Sequence, residues 1–280
     1  MARDAILLIT INAKWIHPSL ALRLLKANLG ALEGDCEILE FALRQPLAEK
    51  LEAVQSRRPG ILGISVSIWN HAATLELLEA LEREWAAVPP GAPSGERPVV
   101  VLGGPELSYL PEGAEIFRHA GYVIRGEGED AFRELCATLR STGLEAGGRN
   151  PGPPRFINGA PADLSRIRQA YRYYDGEDLS HKLVYVESVR GCPFRCGFCQ
   201  SAAPADFNSG PAAGLREFPL ESFLAEMDLL IRRGARNFKF LDRSFNANPG
   251  RALAILDFFL RHIEAGPPAG RPLCVHFEMV

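Results

Sequence analysis

Several features that mark specialised proteins are scarce in this sequence of 280 residues. There is no excess of charge of either sign, since 31 Lys and Arg face 34 Asp and Glu, for a formal charge of −3. No electrostatic argument therefore favours a nucleic acid or an anionic membrane as partner. Hydrophobic residues make up 47% and charged residues 23% of the chain, which is ordinary for a globular protein of roughly two domains.

A long hydrophobic run is also missing near the N-terminus. The apolar run there, from Ala5 to Ile11, has only seven residues. It is too short to cross a membrane, and no signal-peptide cleavage pattern accompanies it. We therefore expect a cytoplasmic protein, in which thiols stay reduced and disulfides are rare.

Cysteine is scarce as well, but its distribution is uneven. Cys36, Cys136 and Cys274 stand alone, and each is predicted to be a small buried apolar residue. The other three of the six cysteines lie within eight residues, in the stretch "CPFRCGFC" at residues 192–199. Under reducing conditions, such a cluster indicates metal ligands or catalytic groups rather than disulfides.

The first 140 or so residues alternate short apolar runs with segments of helical spacing. The predicted strands are residues 5–11, 36–41, 60–67, 98–104 and 122–126. Five strands alternating with five helices predict an α/β fold, a doubly wound, Rossmann-like parallel sheet. Ligands of such sheets bind beyond the carboxyl ends of the strands. Glycine and small polar residues dominate three of the four loops quoted there, "NAKWIHPS", "SVSIWN", "GGPE" and "GEGED", which lets a flat or bulky ligand approach the backbone.

A second βα series follows a stretch rich in glycine and proline. Its predicted strands are residues 183–189, 237–242 and 273–279, and its predicted helices cover about 220–233 and 251–263. We therefore predict a first domain of residues 1–142, a linker of residues 143–180 and a second domain of residues 181–280. The Asn-Gly pair in "FINGAP" is consistent with a small hairpin in the linker. Three strands cannot close a βα barrel, so we expect the second domain to be the first part of a barrel, truncated after its third strand.

The cysteine loop has the spacing C-x3-C-x2-C and comes directly after the first strand of the second series. Structural zinc takes four ligands, usually as two separated pairs, and here a fourth would have to come singly from Cys274, His181 or His276. A [4Fe–4S] cluster normally takes four cysteines, so three on one loop leave one iron open. The spacing favours such a cluster over zinc or inert thiols. Phe198, just before the third cysteine, could stack on a planar ligand or fill the core.

The stretch "GCPFRCGFC" resembles the signature of the radical SAM superfamily. The resemblance implies that Cys192, Cys196 and Cys199 bind a [4Fe–4S] cluster, that its open iron binds S-adenosylmethionine, and that Phe198 lies against the adenine. It also implies reductive cleavage to a 5′-deoxyadenosyl radical, which abstracts hydrogen from an unactivated carbon. This chemistry calls for a reductant such as flavodoxin or ferredoxin, and for a small-molecule or peptide substrate.

Two carboxylates follow strands of the second series, where βα barrels place their active residues. They are Asp242, in "FLDRSFN", and Glu278, in "VHFEM". The functional interpretation is that both contact the ribose or the amino group of S-adenosylmethionine. The structural alternative is that Asp242 pairs with a nearby arginine such as Arg243 or Arg216. The superfamily's Gly-Gly-Glu element is absent from this position.

The stretches "NAKWIHPSLALRLLK", "VVVLGGPE", "VIRGEGEDAF" and "FLDRSFN" resemble the cobalamin-binding branch of that superfamily. The resemblance implies that a corrin lies across the strand ends and that its nucleotide tail enters the sheet. The residues implied to line the tail or border its pocket are Ser65, Ser67, Gly103, Gly104, Gly126, Glu127 and Gly128. No Asp-x-His occurs in the chain, so the usual cobalt-binding histidine motif is absent, and we interpret His17 as a structural histidine.

Three hypotheses follow for the function. The leading one is a cobalamin-dependent radical SAM enzyme that methylates an unactivated carbon. The second keeps the radical chemistry but uses cobalamin for electron transfer or rearrangement instead of methylation. The third is a non-catalytic module with zinc in the cysteine loop and a nucleotide in the front domain.

Overall fold

The computed structural model describes residues 5–87, 97–142, 155–194, 196, 199, 214–266 and 271–279. The contacts divide the chain into two compact units. The first is Met1–Trp15 with Ala21–Pro161, and the second is Ile16–Leu20 with Ala162–Val280. The main division thus falls after Pro161, whereas the sequence predicted that the first domain ends at residue 142.

The first unit is built on a six-stranded sheet with the order β2-β1-β3-β4-β5-β6. Its strands are β1 (Ile6–Asn12), β2 (Cys36–Ala42), β3 (Ile61–Ser65), β4 (Val99–Gly103), β5 (Tyr122–Gly126) and β6 (Arg155–Gly159). Its α-helices are α1 (Leu20–Ala27), α2 (Leu47–Arg57), α3 (His71–Ala87) and α4 (Glu129–Ser141). All strand pairs are parallel, which confirms the predicted doubly wound α/β sheet.

Both faces of this sheet are buried, as its near-continuous apolar strands predict. Successive side chains of a strand point to opposite faces. In β1, Leu7, Ile9 and Ile11 therefore join one hydrophobic cluster, while Ile6 and Leu8 join another. The two clusters fix the sheet between its helices and leave the carboxyl ends of the strands as the edge where a ligand can approach.

Two expectations for the first unit were wrong. The segment "RFING" forms no hairpin: it is β6, which runs parallel to β5 from Arg155 to Gly159 and extends the sheet. The connection between β4 and β5 holds a short 3-10 helix, Glu115–His119, in place of a fifth α-helix. Ile116 and Phe117 of this short helix are nevertheless buried against the sheet, so it covers the same face that a longer helix would.

The second unit repeats the βα pattern on a smaller scale. Its elements are α5 (Gly176–His181), β7 (Val184–Val186), β8 (Val189–Arg190), β9 (Arg216–Glu217), α6 (Leu220–Arg232), β10 (Asn237–Phe240), α7 (Pro249–Glu264) and β11 (Cys274–His276). Strands β11, β10 and β7 form a parallel sheet in that order, while β8 and β9 pair antiparallel. These positions confirm the three predicted strands and two predicted helices within a few residues. None of the helices in the described ranges is both long and apolar enough to span a bilayer.

The three solitary cysteines differ in environment. Cys36 and Cys136 are buried in the first unit, as predicted, and burial raises the pKa of both thiols to about 12. Cys274 is exposed on the edge strand β11, so the prediction of a buried residue was wrong there.

Candidate functional site

The three clustered cysteines lie on a loop whose ends are held together. The loop leaves β8 and returns at β9, and pairing of Val189 with Glu217 and of Arg190 with Arg216 closes its base. Cys192 and Cys199 are half-buried, and Cys196 is exposed. The amide of Cys199 donates to the carbonyl of Cys196 at 3.0 Å, which forms a turn between these two cysteines. Phe198, the predicted stacking residue, lies outside the described residues.

The donor chemistry of this loop fits an iron–sulfur cluster, because three thiols without a second cysteine pair suit iron better than structural zinc. Within the described ranges, no three His, Cys, Asp or Glu side chains are grouped closely enough to hold a metal ion. The chain thus carries the three cysteines on one loop, between β8 and β9.

Ser244 contacts the first cysteine of the loop. Its Oγ lies 3.0 Å from the Sγ of Cys192, and its side chain is buried, with 1% of its surface exposed. Ser244 was not among the residues predicted from the sequence. Its one signal was its place in "FLDRSFN", directly after the predicted second strand of the series.

Asp242 is fully buried, and both of its carboxylate oxygens are occupied. One oxygen accepts from the amides of Ser188 and Val189, at 2.8 and 3.2 Å, and the other accepts from the Ser188 hydroxyl at 2.6 Å. Burial raises the pKa of the Asp242 carboxyl above its ordinary value, although these hydrogen bonds oppose the shift. In this structure Asp242 fixes the chain just before the cysteine loop, and its predicted contact with S-adenosylmethionine stays a prediction.

The structural alternative named a nearby arginine such as Arg243 or Arg216, and the arginine whose charge acts on Asp242 is Arg251. Arg251 is 7% exposed, and its guanidinium donates to the carbonyl of Ser188 at 3.0 Å. The field of its charge lowers the pKa of the Asp242 carboxyl. Sequence reasoning missed Arg251 because it lies on α7, nine positions beyond Asp242, and only the packing of that helix brings it to Ser188.

Glu278 lies at the surface after β11. Its carboxylate accepts from Arg243 at 3.1 Å, and both side chains are about half exposed. This placement leaves Glu278 accessible to a ligand, so its predicted contact with S-adenosylmethionine stays a prediction.

In the first unit, the residues implied to bind the cobalamin tail come together at one edge. Ser65, Gly103 and Gly126 are the last residues of β3, β4 and β5, which are neighbours in the sheet. The remaining four, Ser67, Gly104, Glu127 and Gly128, follow within two residues of these strand ends. The placement confirms a shared edge, and their ligand contacts stay a prediction.

Asn70 holds the backbone at this edge, and the sequence did not predict this role. It is fully buried, and its amide nitrogen donates to the carbonyls of Ile11 and Ser65 at 2.9 and 3.3 Å. Its amide oxygen accepts from the backbone of Ser67 at 2.8 Å. Asn70 therefore ties the end of β1 to the end of β3. Its position just before α3 was the available signal, because asparagine is common at helix starts.

Gly104 is required by the close approach of two loops. It has a φ of +113°, a conformation that side chains disfavour, and a Cβ there would lie 2.7 Å from the backbone nitrogen of Val66 and closer still to its carbonyl oxygen. The amide of Val66 already donates to the carbonyl of Gly103 at 2.8 Å. Packing between the two loops therefore fixes the backbone of this edge without a ligand.

Large apolar side chains are exposed at the same edge, and we call them the edge patch. Its members are Trp15, Ile68, Trp69 and Tyr109, with 50%, 77%, 54% and 49% of their surface exposed. They follow β1, β3 and β4, three neighbouring strands. Strand β1 has β2 on one side and β3 on the other, so the direction in which strands are added reverses at β1. Open α/β sheets bind their ligands at such a switch point. Exposed apolar patches mark binding sites, and this one suits a large, flat, partly apolar ligand.

His17 follows β1 but groups with the second unit. Its Nδ1 shares a 2.9 Å hydrogen bond with the hydroxyl of Tyr185 on β7. This bond supports the interpretation of His17 as a structural histidine.

Comparison with protein families gives a match over most of the first unit. A model of the B12 binding domain matches residues 6–136, which span β1 to most of α4. Residues 6–136 are thus similar in sequence to B12 binding domains. The matched residues include strands β1 to β5, the edge patch and the glycine-lined strand ends.

Sequence relatives of this chain include methyltransferases. The chain is 26% identical over 210 residues to the cobalamin-dependent radical SAM methyltransferase TokK of Streptomyces tokunonensis, covering 68% of this chain and 28% of the relative. It is 30% identical over 180 residues to an uncharacterized methyltransferase of Pyrococcus horikoshii, covering 57% of this chain and 36% of the relative. These matches confirm the resemblance to cobalamin-dependent radical SAM proteins.

A solved structure shares the fold over nearly the whole chain. It is the radical S-adenosylmethionine methyltransferase TsrM of Kitasatospora setae with cobalamin and a [4Fe–4S] cluster bound, at a TM-score of 0.59 and 20% identity. The match covers 95% of this chain and 52% of that one. The chain therefore spans about a third of the curated relatives named above and about half of this solved chain.

Proposed function

We propose that this chain is the cobalamin- and cluster-binding part of a radical SAM methyltransferase. The observation that carries the proposal is the loop with Cys192, Cys196 and Cys199, placed after the first strand of a parallel βα series that follows a B12 binding domain. Relatives described as methyltransferases support the same reaction class.

The residues of the two units have separate roles in this proposal. The three cysteines hold the cluster, and Glu278, exposed at a strand end, is available to S-adenosylmethionine. The edge patch contacts the corrin, while the strand ends at Ser65, Gly103 and Gly126 receive its nucleotide tail. Of the described groups, Asp242 and Asn70 position these two sites from inside the fold.

The bound groups supply the chemistry that side chains lack. When bound, the reduced cluster supplies the electron that cleaves S-adenosylmethionine to methionine and a 5′-deoxyadenosyl radical, and cobalamin supplies a carrier for the methyl group. We infer that the electron comes from a small protein such as flavodoxin or ferredoxin, and that the methyl acceptor is a small molecule or peptide.

Anaerobic reconstitution tests the cluster directly. The purified chain is incubated with ferrous iron, sulfide and reductant, and iron, acid-labile sulfide and zinc are measured per chain. We expect about four iron and four sulfide in the wild type and a complete loss of both in Cys196→Ala, because each of the three thiolates is needed. Cys274→Ala, which removes an exposed cysteine from β11, is the matched control and should keep the full cluster. A colourless wild-type protein with stoichiometric zinc would contradict the proposal.

Replacing Trp69 tests the corrin site. Trp69→Ala should weaken hydroxocobalamin binding by about 10-fold or more, since covering a large aromatic side chain contributes on the order of 1.5–3 kcal/mol. The change should leave the unfolding midpoint nearly unaltered, because 54% of the side chain is already exposed. The measurement is the visible absorbance of cobalamin after equilibrium dialysis.

The matched control is Leu253→Ala, on α7 of the second unit, which removes an apolar side chain that is 66% exposed. It should bind cobalamin as the wild type does. Equal affinities in wild type and Trp69→Ala would remove the edge patch from the site.

A further inference from the structure

The hydroxyl of Ser244 faces the first cysteine of the loop from inside the second unit. The Oγ of Ser244 and the Sγ of Cys192 are 3.0 Å apart, well within hydrogen-bonding distance for sulfur. Ser244 is 1% exposed, so water does not compete for its hydroxyl. A buried hydroxyl keeps a hydrogen-bond partner, and here that partner is the sulfur of a candidate cluster ligand.

The turn that carries Ser244 is anchored on both sides. On one side, the amide of Leu241 donates to Val186 on β7 at 2.8 Å, and on the other the amide of Phe245 donates to the carbonyl of Glu278 at 3.0 Å. Asp242, two positions before Ser244, holds Ser188 at the start of the cysteine loop. The same turn therefore fixes the base of the loop through Asp242 and contacts its first cysteine through Ser244.

Binding of Cys192 to iron decides which atom donates the hydrogen bond between Ser244 and Cys192. A free thiol could either donate to or accept from the serine, but a cysteine that binds iron is a thiolate without a proton. The hydroxyl must then donate to sulfur. Such a charge-assisted bond strengthens as negative charge on the sulfur grows, and hydrogen bonds to cluster sulfurs are among the groups that set reduction potentials.

We propose that Ser244 is a positioning residue that donates a hydrogen bond to the cluster-bound Cys192 and raises the reduction potential of the cluster. The inference rests on the proposed function, since it requires a cluster on this loop. Because the reduced cluster carries more negative charge than the oxidised one, the bond stabilises the reduced form more and makes reduction easier.

The test compares reconstituted variants by EPR at poised potentials. Ser244→Ala should bind as much iron and sulfide as the wild type, since all three thiolates remain, but its midpoint potential should shift to a more negative value. In deuterated buffer, the reduced wild-type cluster should couple to an exchangeable deuteron that is missing in Ser244→Ala. Ser222→Ala, which removes an exposed serine hydroxyl from α6, is the control and should keep the wild-type potential.

A second pair of variants keeps the test decisive if the alanine variant does not fold. Ser244→Thr retains the hydroxyl, whereas Ser244→Val has nearly the same shape without it, so their difference in potential isolates the hydrogen bond. Equal potentials within this pair, or between Ser244→Ala and a cluster-loaded wild type, would overturn the inference and leave the proposed function intact. A wild type that takes up no cluster would overturn both.

Discussion

Replacing Asp242 with alanine should destabilise the second unit by about 3 kcal/mol or more, because three buried donors lose their acceptor at a cost of roughly 1–3 kcal/mol each. The change leaves the amides of Ser188 and Val189 and the hydroxyl of Ser188 without their acceptor. It also removes one of the two carboxylates whose charges act on Arg251, which is 7% exposed and keeps Glu217 at 3.8 Å. Urea unfolding of the purified chain, followed by circular dichroism, measures the loss. Because Asp242 fixes the base of the cysteine loop, cluster content should fall as well.

Two further variants make this result specific. Asp257→Ala removes a carboxylate of α7 that is 62% exposed and paired with Arg261, so it should change the unfolding free energy by less than about 1 kcal/mol. Asp242→Asn keeps the shape and an acceptor oxygen, so it should cost less than Asp242→Ala. An alanine variant as stable as the wild type would show that the buried network does not stabilise the loop.

The pH dependence of stability gives a related check on Asp242. Burial raises its pKa in the folded protein, so the folded state binds more protons than the unfolded state above the ordinary Asp pKa of about 3.9. Stability contributed by this group is therefore present below that pH and is lost as the pH rises through the folded-state pKa. Relative to Asp242→Asn, which cannot titrate, the wild type should lose unfolding free energy across this window. A constant difference between the two proteins from pH 4 upward would contradict the raised pKa.

Gly104→Ala should destabilise the first unit by about 3 kcal/mol or more. The residue has a φ of +113°, which costs an L side chain on the order of 1–3 kcal/mol, and the new methyl group would overlap the backbone of Val66. Because backbone cannot rotate away as a flexible side chain can, the overlap adds a cost of about the same size. The measurement is the unfolding free energy, with cobalamin binding as a second measurement, since the displaced loop lies at the edge patch.

Gly113→Ala is the matched control in the same domain. Its Cβ would meet nothing within 4 Å, and its backbone is not in the left-handed region. It should be neutral or slightly stabilising, because alanine restricts the unfolded chain more than glycine does. Equal losses in the two variants would show that neither the positive φ of Gly104 nor its close approach to Val66 sets the cost of the substitution.

Much of the architecture could be read from the sequence because it depends on local patterns. Strand β1 is apolar at nearly every position, which is how a strand covered on both faces differs from a half-exposed one. The period of the apolar residues likewise placed α6 and α7 within two residues of their observed ends. The prediction of a hairpin at Asn158-Gly159 failed because a dipeptide signal for a turn was outweighed by pairing along β5, a partner whose distance in sequence no local rule registers.

The candidate sites show the same limit at the level of single residues. The cysteine spacing indicated an iron–sulfur loop directly, because ligands that share one loop are close in sequence. Asp242 was identified as a strand-end carboxylate, but its burial against Ser188 became visible only in the folded chain. Arg251 and Ser244 were missed because each reaches its partner across more than fifty positions of the sequence.

The sequence by itself determined the α/β class, the two βα series and the three clustered cysteines, since the spacing and composition of the residues are enough to identify each. Only the tertiary structure decided which polar groups face a ligand and which hold the fold. Whether the carboxylate of Asp242 or the hydroxyl of Ser244 meets solvent, sulfur or backbone depends on how β7, β10 and α7 pack around it. Such packing depends on contacts between residues that are far apart in sequence, whereas a motif contains only residues that are close together along the chain.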